Sequence, residues 1–290
     1  KSIIVFSDAY IDTLIVCTQK IAPDKQHKVM TLEYPKRRKI SCIDLSQDKP
    51  SLIFQRDWIL DEDKKIILGS GMLKVIRRLS QAVPTCFTDV VEMKRGVLFD
   101  KSLLTDSRIS SNSFPYFEGN VYRYDLQIKT PSWVEYGEKM KEWPKDFKWF
   151  EGKRILLRRL VNRKQRLMAC IAEDTFITNK NLYSILPKAH ERIEYILGVL
   201  NSTLLSKVYI SKVTQATKDD FPQVTITDLL KLPFKTIDFT SAIEKEHHDR
   251  VAFLAQRLLT LNQQQTSATT SHERTLLERQ ITATDRQIDQ

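Results

Sequence analysis

Short apolar runs with period-2 alternation fill most of this chain, and helical spacing takes over its last quarter. Residues 2–6 (SIIVF) and 11–18 (IDTLIVCT) are apolar and rich in β-branched residues, which predicts a strand pair, with residues 27–34 (HKVMTLEY) as a third strand. Residues 53–60 read as an irregular strand. Ile66, Ile67, Met72, Leu73, Ile76 and Leu79 then recur at helical spacing over 64–80, behind the capping acids at 61–63. Residues 88–93 are strand-like. Residues 108–120 read as a polar loop, and 130–151, where Pro131 and Pro144 interrupt any regular element, as a long aromatic loop. Residues 155–160 and 167–172 predict a buried hairpin turning at Asn162-Arg163-Lys164-Gln165, and the end of 176–185 is again strand-like. Ile193, Ile196, Leu197, Leu200, Leu204, Leu205 and Val208 share one face of a helix over 190–209, and a short helix capped at 225–228 stops at Pro233.

From residue 240 onward the apolar positions are too few for a core of their own. Ile243, Val251, Leu254, Leu258 and Leu261 form one stripe, and Leu276, Leu277, Ile281 and Ile288 another. QQQTSATTS, at 263–271, is the hinge between two antiparallel helices that pack on each other or on a partner. The fold class expected is α+β: a mixed β-sheet domain with flanking helices and a C-terminal helical hairpin. The expected divisions are 1–50, 51–239 and 240–290.

Charge narrows the function. The 290 residues carry a net +10, with a pI near 9.3, which points to a nucleic acid or an anionic surface. No apolar run approaches the ~20 residues of a membrane span, so no membrane partner is expected. The basic residues concentrate in 152–187, where Lys153, Arg154, Arg158, Arg159, Arg163, Lys164 and Arg166 occur with no acid among them. On a strand pair they would form a cationic ribbon facing a polyanion. Tyr116, Tyr122, Tyr124, Trp133 and Trp149 interleave with Arg123, Lys129 and Lys148. Most of these rings belong in a core, but Tyr122 and Arg123 follow a Gly-Asn turn and are the best candidates for exposure.

Catalytic signatures are weak by comparison. Seven glycines and no GxGxxG or P-loop argue against a nucleotide-binding fold. The cysteines, Cys17, Cys42, Cys86 and Cys170, show no CxxC spacing and read as reduced core residues of a cytoplasmic protein. His247-His248-Asp249 lacks the i, i+4 spacing that puts two imidazoles on one helix face. Glu92-x-Lys94 with Asp57, Asp61 or Asp63 imitates the acid and lysine set of a magnesium-dependent nuclease, but the triplet is common by chance. The polar-Pro-Pro-aromatic tetrapeptide of amino-methyltransferases is absent; Phe114-Pro115-Tyr116-Phe117 does not qualify. The residues favour binding without chemistry. The chain also begins at Lys1 and ends within a helical pattern, and is read as a piece of a larger protein.

Several blocks, in order, resemble the TaqI-like C-terminal target-recognition domain of adenine-specific DNA methyltransferases and fused type IIG restriction-modification enzymes. They are Ile11-Asp12-Thr13-Leu14-Ile15-Val16; Lys94-Arg95-Gly96-Val97; FEGNVYRY at 117–124; KRILLRR at 153–159; TNKNLY at 178–183; YILGVLNSTLL at 195–205; FPQVTI at 221–226 with Leu232-Pro233; and Arg286-Gln287-Ile288-Asp289, which looks like the start of a closing helix. The resemblance implies that 1–50 end a methyltransferase-like domain and its linker, that 51–239 form the recognition domain, and that double-stranded DNA and a methyltransferase domain of the same polypeptide are the partners. It implies no cofactor here, S-adenosylmethionine in the parent, and magnesium if the parent cuts DNA. Lys94, Arg95, Lys153, Arg154, Arg158, Arg159, Arg163, Lys164 and Arg166 are the expected backbone contacts. Tyr122, Arg123, Asn179 and Lys180 are the expected base readers. The alternative reading is an assembly module of a multisubunit restriction or phage-defence complex.

Overall fold

Residues 28–31 and 51–54 form an antiparallel pair. The structure, a computed structural model, describes residues 15–32, 50–59, 66, 70–129, 132–161, 165–188, 191–213 and 223–290. It separates into a unit of residues 1–82 and a unit of residues 83–290. In the first unit, β1 (Lys28–Thr31) pairs with β2 (Ser51–Phe54), and α1 (Gln55–Ile59) and α2 (Ser70–Ala82) follow. Leu73 and Ile76 are the buried positions of α2. The strand expected at 2–6 lies outside the described residues, as does the first half of that at 11–18. Described residues 15–18 are irregular and Cys17 is exposed, so that cysteine is not a core residue.

The second unit is built around four strands. After α3 (Phe87–Val90) and β3 (Val91–Arg95) come β4 (Ser113–Tyr116), β5 (Gly119–Tyr122), β6 (Asp125–Ile128), β7 (Ser132–Glu135), β8 (Arg154–Arg158), β9 (Ala169–Ala172) and β10 (Leu182–Pro187). The central sheet has the order β3-β10-β8-β9, antiparallel throughout, and isolated parallel bridges join Val97 to Asn179 and Tyr116 to Ile177. Ile155, Leu156 and Leu157 are buried on successive positions of β8, so both faces of the sheet are covered. That is why β8 reads as a continuous apolar run and not as an alternation. Burying each such side chain contributes about 1.5–3 kcal/mol.

The segment expected to be polar and aromatic loop is more ordered than that. β4 pairs with β7 and β5 with β6, each antiparallel, and the rings of residues 136–150 fill a core with Val97, Val134 and Ile177. Of the two prolines that argued against regular structure, Pro144 lies in the irregular stretch after β7 and Pro131 lies outside the described residues; Pro115 is itself part of β4.

Helices cover the sheet. α4 (Ile193–Asn201) and α5 (Thr203–Lys212) replace the single helix expected over 190–209. Ser202 breaks it: this residue is extended, and its Oγ accepts a hydrogen bond from the Leu205 N–H at 3.1 Å, capping α5. A cap offers the backbone an alternative to continuing the helix. α6 (Ile226–Leu230) follows, then α7 (Ala242–Ser267) and α8 (Ser271–Ile288) as the expected helical hairpin. α7 packs closely on α4 at Gly198, where a Cβ would lie 2.6 Å from Val251 Cγ1. α8 folds back through Leu261, Ala268, Leu277 and Ile281. The class is α+β, as the patterning predicts, and among the described residues no helix is long and apolar enough to cross a membrane.

Candidate nucleic-acid interface

Antiparallel pairing decides which basic residues meet. β10 runs against both β3 and β8, so its beginning adjoins their ends: Tyr183 lies opposite Arg95 and Leu157, and Leu182 opposite Arg158. One end of the sheet therefore gathers Lys94, Arg95, Arg158, Arg159 and the loop 178–181. The loop is held by backbone contacts. A Cβ at Gly96 would sit 2.3 Å from the carbonyl oxygens of both Thr178 and Asn179, so only glycine lets the two segments come this close. The Val97 N–H donates to Thr178 O at 2.8 Å, the Gly96 N–H to Leu182 O at 3.0 Å, and the Arg159 N–H to Asn181 O at 2.8 Å.

Within this loop Asn179 is a shaping residue. Its Oδ1 accepts from the Asn181 N–H at 2.8 Å, and its side chain bonds the Tyr116 hydroxyl, whose pKa burial raises. The turn so formed leaves Lys180 and Asn181 exposed. Asn181 was not among the expected readers; the signal for it was the Asn-x-Asn spacing of an Asx turn.

The cations at this end differ in their commitments. Lys94 and Lys180 are exposed, and neither has a carboxylate partner among the described residues; the same holds for the partly buried Arg158. Arg95 pairs with Glu142. Arg159 donates through Nη2 to Gln223 Oε1 at 2.7 Å. Tyr122 is 37% exposed, and it precedes the turn at Arg123 and Tyr124 that joins β5 to β6. The Tyr124 N–H donates to Ala169 O at 2.9 Å, and Ala169 lies opposite Leu157, so this turn stands at the same end of the sheet.

Four expected contacts are placed otherwise. Arg154 is 0% exposed and cannot meet a DNA backbone. Its Nη1 donates to Gly152 O and Asp174 O, each at 2.9 Å, and its guanidinium lies 4.6 Å from the centre of the Phe176 ring. Burial pulls its pKa down to about 10, partly offset by Asp174 and Glu151, so it stays charged at neutral pH. Lys153 bonds Glu194 Oε1 at 2.7 Å. Both stand at the far end of β8, Arg154 about 13 Å and Lys153 about 17 Å from Arg158 at ~3.3 Å per residue. The basic run is therefore split and not one ribbon. Arg123, expected at base edges, directs its donors to Asp285 and Asn201. Arg166 is partly buried and donates to Asn201 O at 2.8 Å. Arg163 and Lys164 lie outside the described residues.

Elsewhere, Glu92 bonds Lys148 at 2.8 Å, and that ammonium holds the carboxyl below its usual range. Among the described residues no group of three or more His, Cys, Asp or Glu side chains could hold a metal.

Residues 114–234 match the family model of the TaqI-like C-terminal specificity domain. Over 236 residues, 79% of the chain, the sequence is 31% identical to a Methanocaldococcus jannaschii protein whose name proposes a type II restriction enzyme and methyltransferase; the chain spans 20% of that protein's length. Among solved structures it is similar to the HsdS subunit from Thermoanaerobacter tengcongensis, at 14% identity and a TM-score of 0.38, over 76% of this chain and 51% of that one. It is also similar to the type IIG restriction endonuclease BpuSI, at 10% identity and a TM-score of 0.41, over 83% of this chain and 35% of that one. The β5–β6 turn, the β8–β9 pair and the loop 178–181 that build this end of the sheet all fall within residues 114–234, over which the chain is similar to the TaqI-like C-terminal specificity domain.

Proposed function

We propose that this chain reads the sequence of double-stranded DNA and holds it for a separate adenine methyltransferase domain of the same polypeptide, where S-adenosylmethionine is the methyl donor. The observation that carries the reading is the end of the central sheet. There Lys94, Arg158 and Lys180 remain without carboxylate partners among the described residues, around a loop whose backbone is fixed by Gly96 and Asn179. Cations left unneutralised at a preorganised edge suit a polyanion, because little ordering entropy remains to be lost on binding. Lys94 and Arg158 are assigned to phosphates, and Arg95 and Arg159 flank them with their intrachain partners. Lys180, Asn181 and Tyr122 are assigned to base edges. Lysine and asparagine can bond the major-groove edges of guanine and adenine, and a tyrosine ring can stack or wedge.

The test is binding of duplexes of varied sequence across a salt series, read by fluorescence anisotropy. Affinity should fall with salt at a log–log slope of about −0.9 per phosphate contacted. Lys94→Ala should weaken binding to every duplex alike and flatten that slope by about one unit. Lys180→Ala or Asn181→Ala should relax one position of the site and cost about 1–3 kcal/mol of discrimination. Salt-independent binding, or none by a folded chain, would overturn the proposal.

A second reading, an assembly module of a multisubunit restriction or phage-defence complex, has one observation in its favour: Ile243, Phe253 and Leu276 are exposed on the C-terminal helical hairpin. Association through residues 240–290, seen by sedimentation without any affinity for duplexes, would select it.

A further inference from the structure

The turn at Arg123 and Tyr124 is gripped by elements far from it in the chain. Tyr124 takes φ 59°, a left-handed conformation that a bulky aromatic residue rarely adopts and that persists only where its surroundings impose it. The surroundings are on view. Its N–H donates to Ala169 O, which also accepts from Asn201 Nδ2 at 2.9 Å, while Asn201 Oδ1 accepts from the Ala169 N–H at 3.0 Å. Asn201 is the last residue of α4 and is fully buried. Arg123 donates through Nη1 and Nη2 to the two oxygens of Asp285 in α8, at 2.7 and 2.5 Å, and through Nη2 to Asn201 O at 2.9 Å.

Charge balance makes α8 essential to this node. Arg166 donates to the same Asn201 oxygen at 2.8 Å, which brings two guanidinium groups to one carbonyl. Burial first, and then the Arg123 charge, lower the Arg166 pKa, while Asp289 and Asp285 oppose this. Asp289 is itself fixed by accepting from the Thr203 N–H at 2.7 Å and from the Thr203 hydroxyl. The end of α8 therefore supplies the carboxylates that let two arginines stand beside the turn.

We propose that Arg123 and Asp285 form a clasp through which the C-terminal helical hairpin sets the position of the turn carrying Tyr122. Asp285 is then a positioning residue for DNA reading, a role that rests on the DNA reading above. A bidentate guanidinium–carboxylate pair fixes direction as well as distance, and the side-chain exposures of 18% for Arg123 and 25% for Asp285 leave the pair little screened by water.

The experiment uses this chain carrying Arg123→Ala, Asp285→Ala, both together, or Asp285→Asn. The probes are a random pool of duplexes about 30 base pairs long and the sequence that the unmodified chain enriches from that pool, long enough to cover the one or more helical turns a recognition site occupies. Each single alanine variant should lose about tenfold in preference for the enriched duplex, the double variant should lose no more than either, and affinity for the random pool should change less than about twofold. Asp285→Asn, which keeps an acceptor, should fall between. In Asp285→Ala the amides of Tyr124 and Ala169 should exchange faster with deuterium while those of α4 do not. A preference lost in Arg123→Ala but kept in Asp285→Ala would make Arg123 itself a base reader and overturn the clasp. Tighter binding of both duplexes by Asp285→Ala would make the carboxylate a competitor of phosphate and overturn it as well. Unchanged exchange in Asp285→Ala removes the clasp and leaves the DNA reading intact. Failure of the unmodified chain to bind any duplex removes that reading and the positioning role with it.

Discussion

The two ends of β8 carry the same residue types and do different work. At its start, Lys153 and Arg154 are spoken for: a carboxylate 2.7 Å away takes the lysine, and backbone carbonyls and a phenylalanine ring enclose the arginine. At its finish, Arg158 has no carboxylate partner among the described residues, and across the sheet Lys94 and Lys180 share that condition. A cation is a ligand-binding candidate only where the fold has left it uncompensated. Neither the residue type nor the local run of charges says which end that will be.

The largest test of this contrast is Arg154→Ala. It should cost roughly 3–5 kcal/mol of stability in urea unfolding, because it leaves a cavity beside Phe176 and strands the carbonyls of Gly152 and Asp174. Folded molecules of that variant should keep the DNA affinity and salt slope of the unmodified chain. A parallel loss of affinity per folded molecule would erase the distinction between the ends.

Lys153→Ala should cost less, about 1 kcal/mol at neutral pH, since the ammonium is partly screened by solvent. Glu194 explains its pH dependence. Burial pushes this carboxyl up, but the Lys153 ammonium, the Glu194 backbone N–H and Arg192 outweigh burial and leave it below the usual value. A depressed carboxylate stabilises the fold above its unfolded pKa of about 4.3, and the contribution disappears as pH falls through the folded value. Unfolding curves of the variant and the unmodified chain should therefore converge in acid. A gap that stays constant from neutral pH to acid would show that the ion pair is not its source.

On stability the smallest effects are expected at the other end. Lys94→Ala and Lys180→Ala, at exposed positions away from any packed contact, should each stay within about 0.5 kcal/mol of the unmodified chain in the same unfolding assay. Their consequence should appear in DNA affinity alone. A large loss of stability on either substitution would mean that these lysines are tied into the fold after all.

Much of the architecture was legible before any coordinates. The run ILLRR announced one strand of a buried hairpin, the stripes of residues 240–290 announced two helices back to back, and the ordered blocks from 94 to 233 pointed to the specificity-domain family. Each is a local pattern, and local patterns survive because backbone geometry repeats every two or 3.6 residues. The break at Ser202 was also local, a capping serine inside an apolar stripe, but the stripe was the stronger signal and hid it.

The sequence by itself determined the α+β class, the buried β8–β9 hairpin, the terminal helix pair and an excess of positive charge. Only the tertiary structure decided where that charge is available. It buried Arg154, paired Lys153 with a glutamate 41 positions later, and tied Arg123 to an aspartate 162 positions away. It also brought Lys94 to the same end of the sheet as Lys180. Periodicity reports on neighbours a few residues apart, whereas compensation of a charge depends on whichever distant group the fold carries to within about 3 Å.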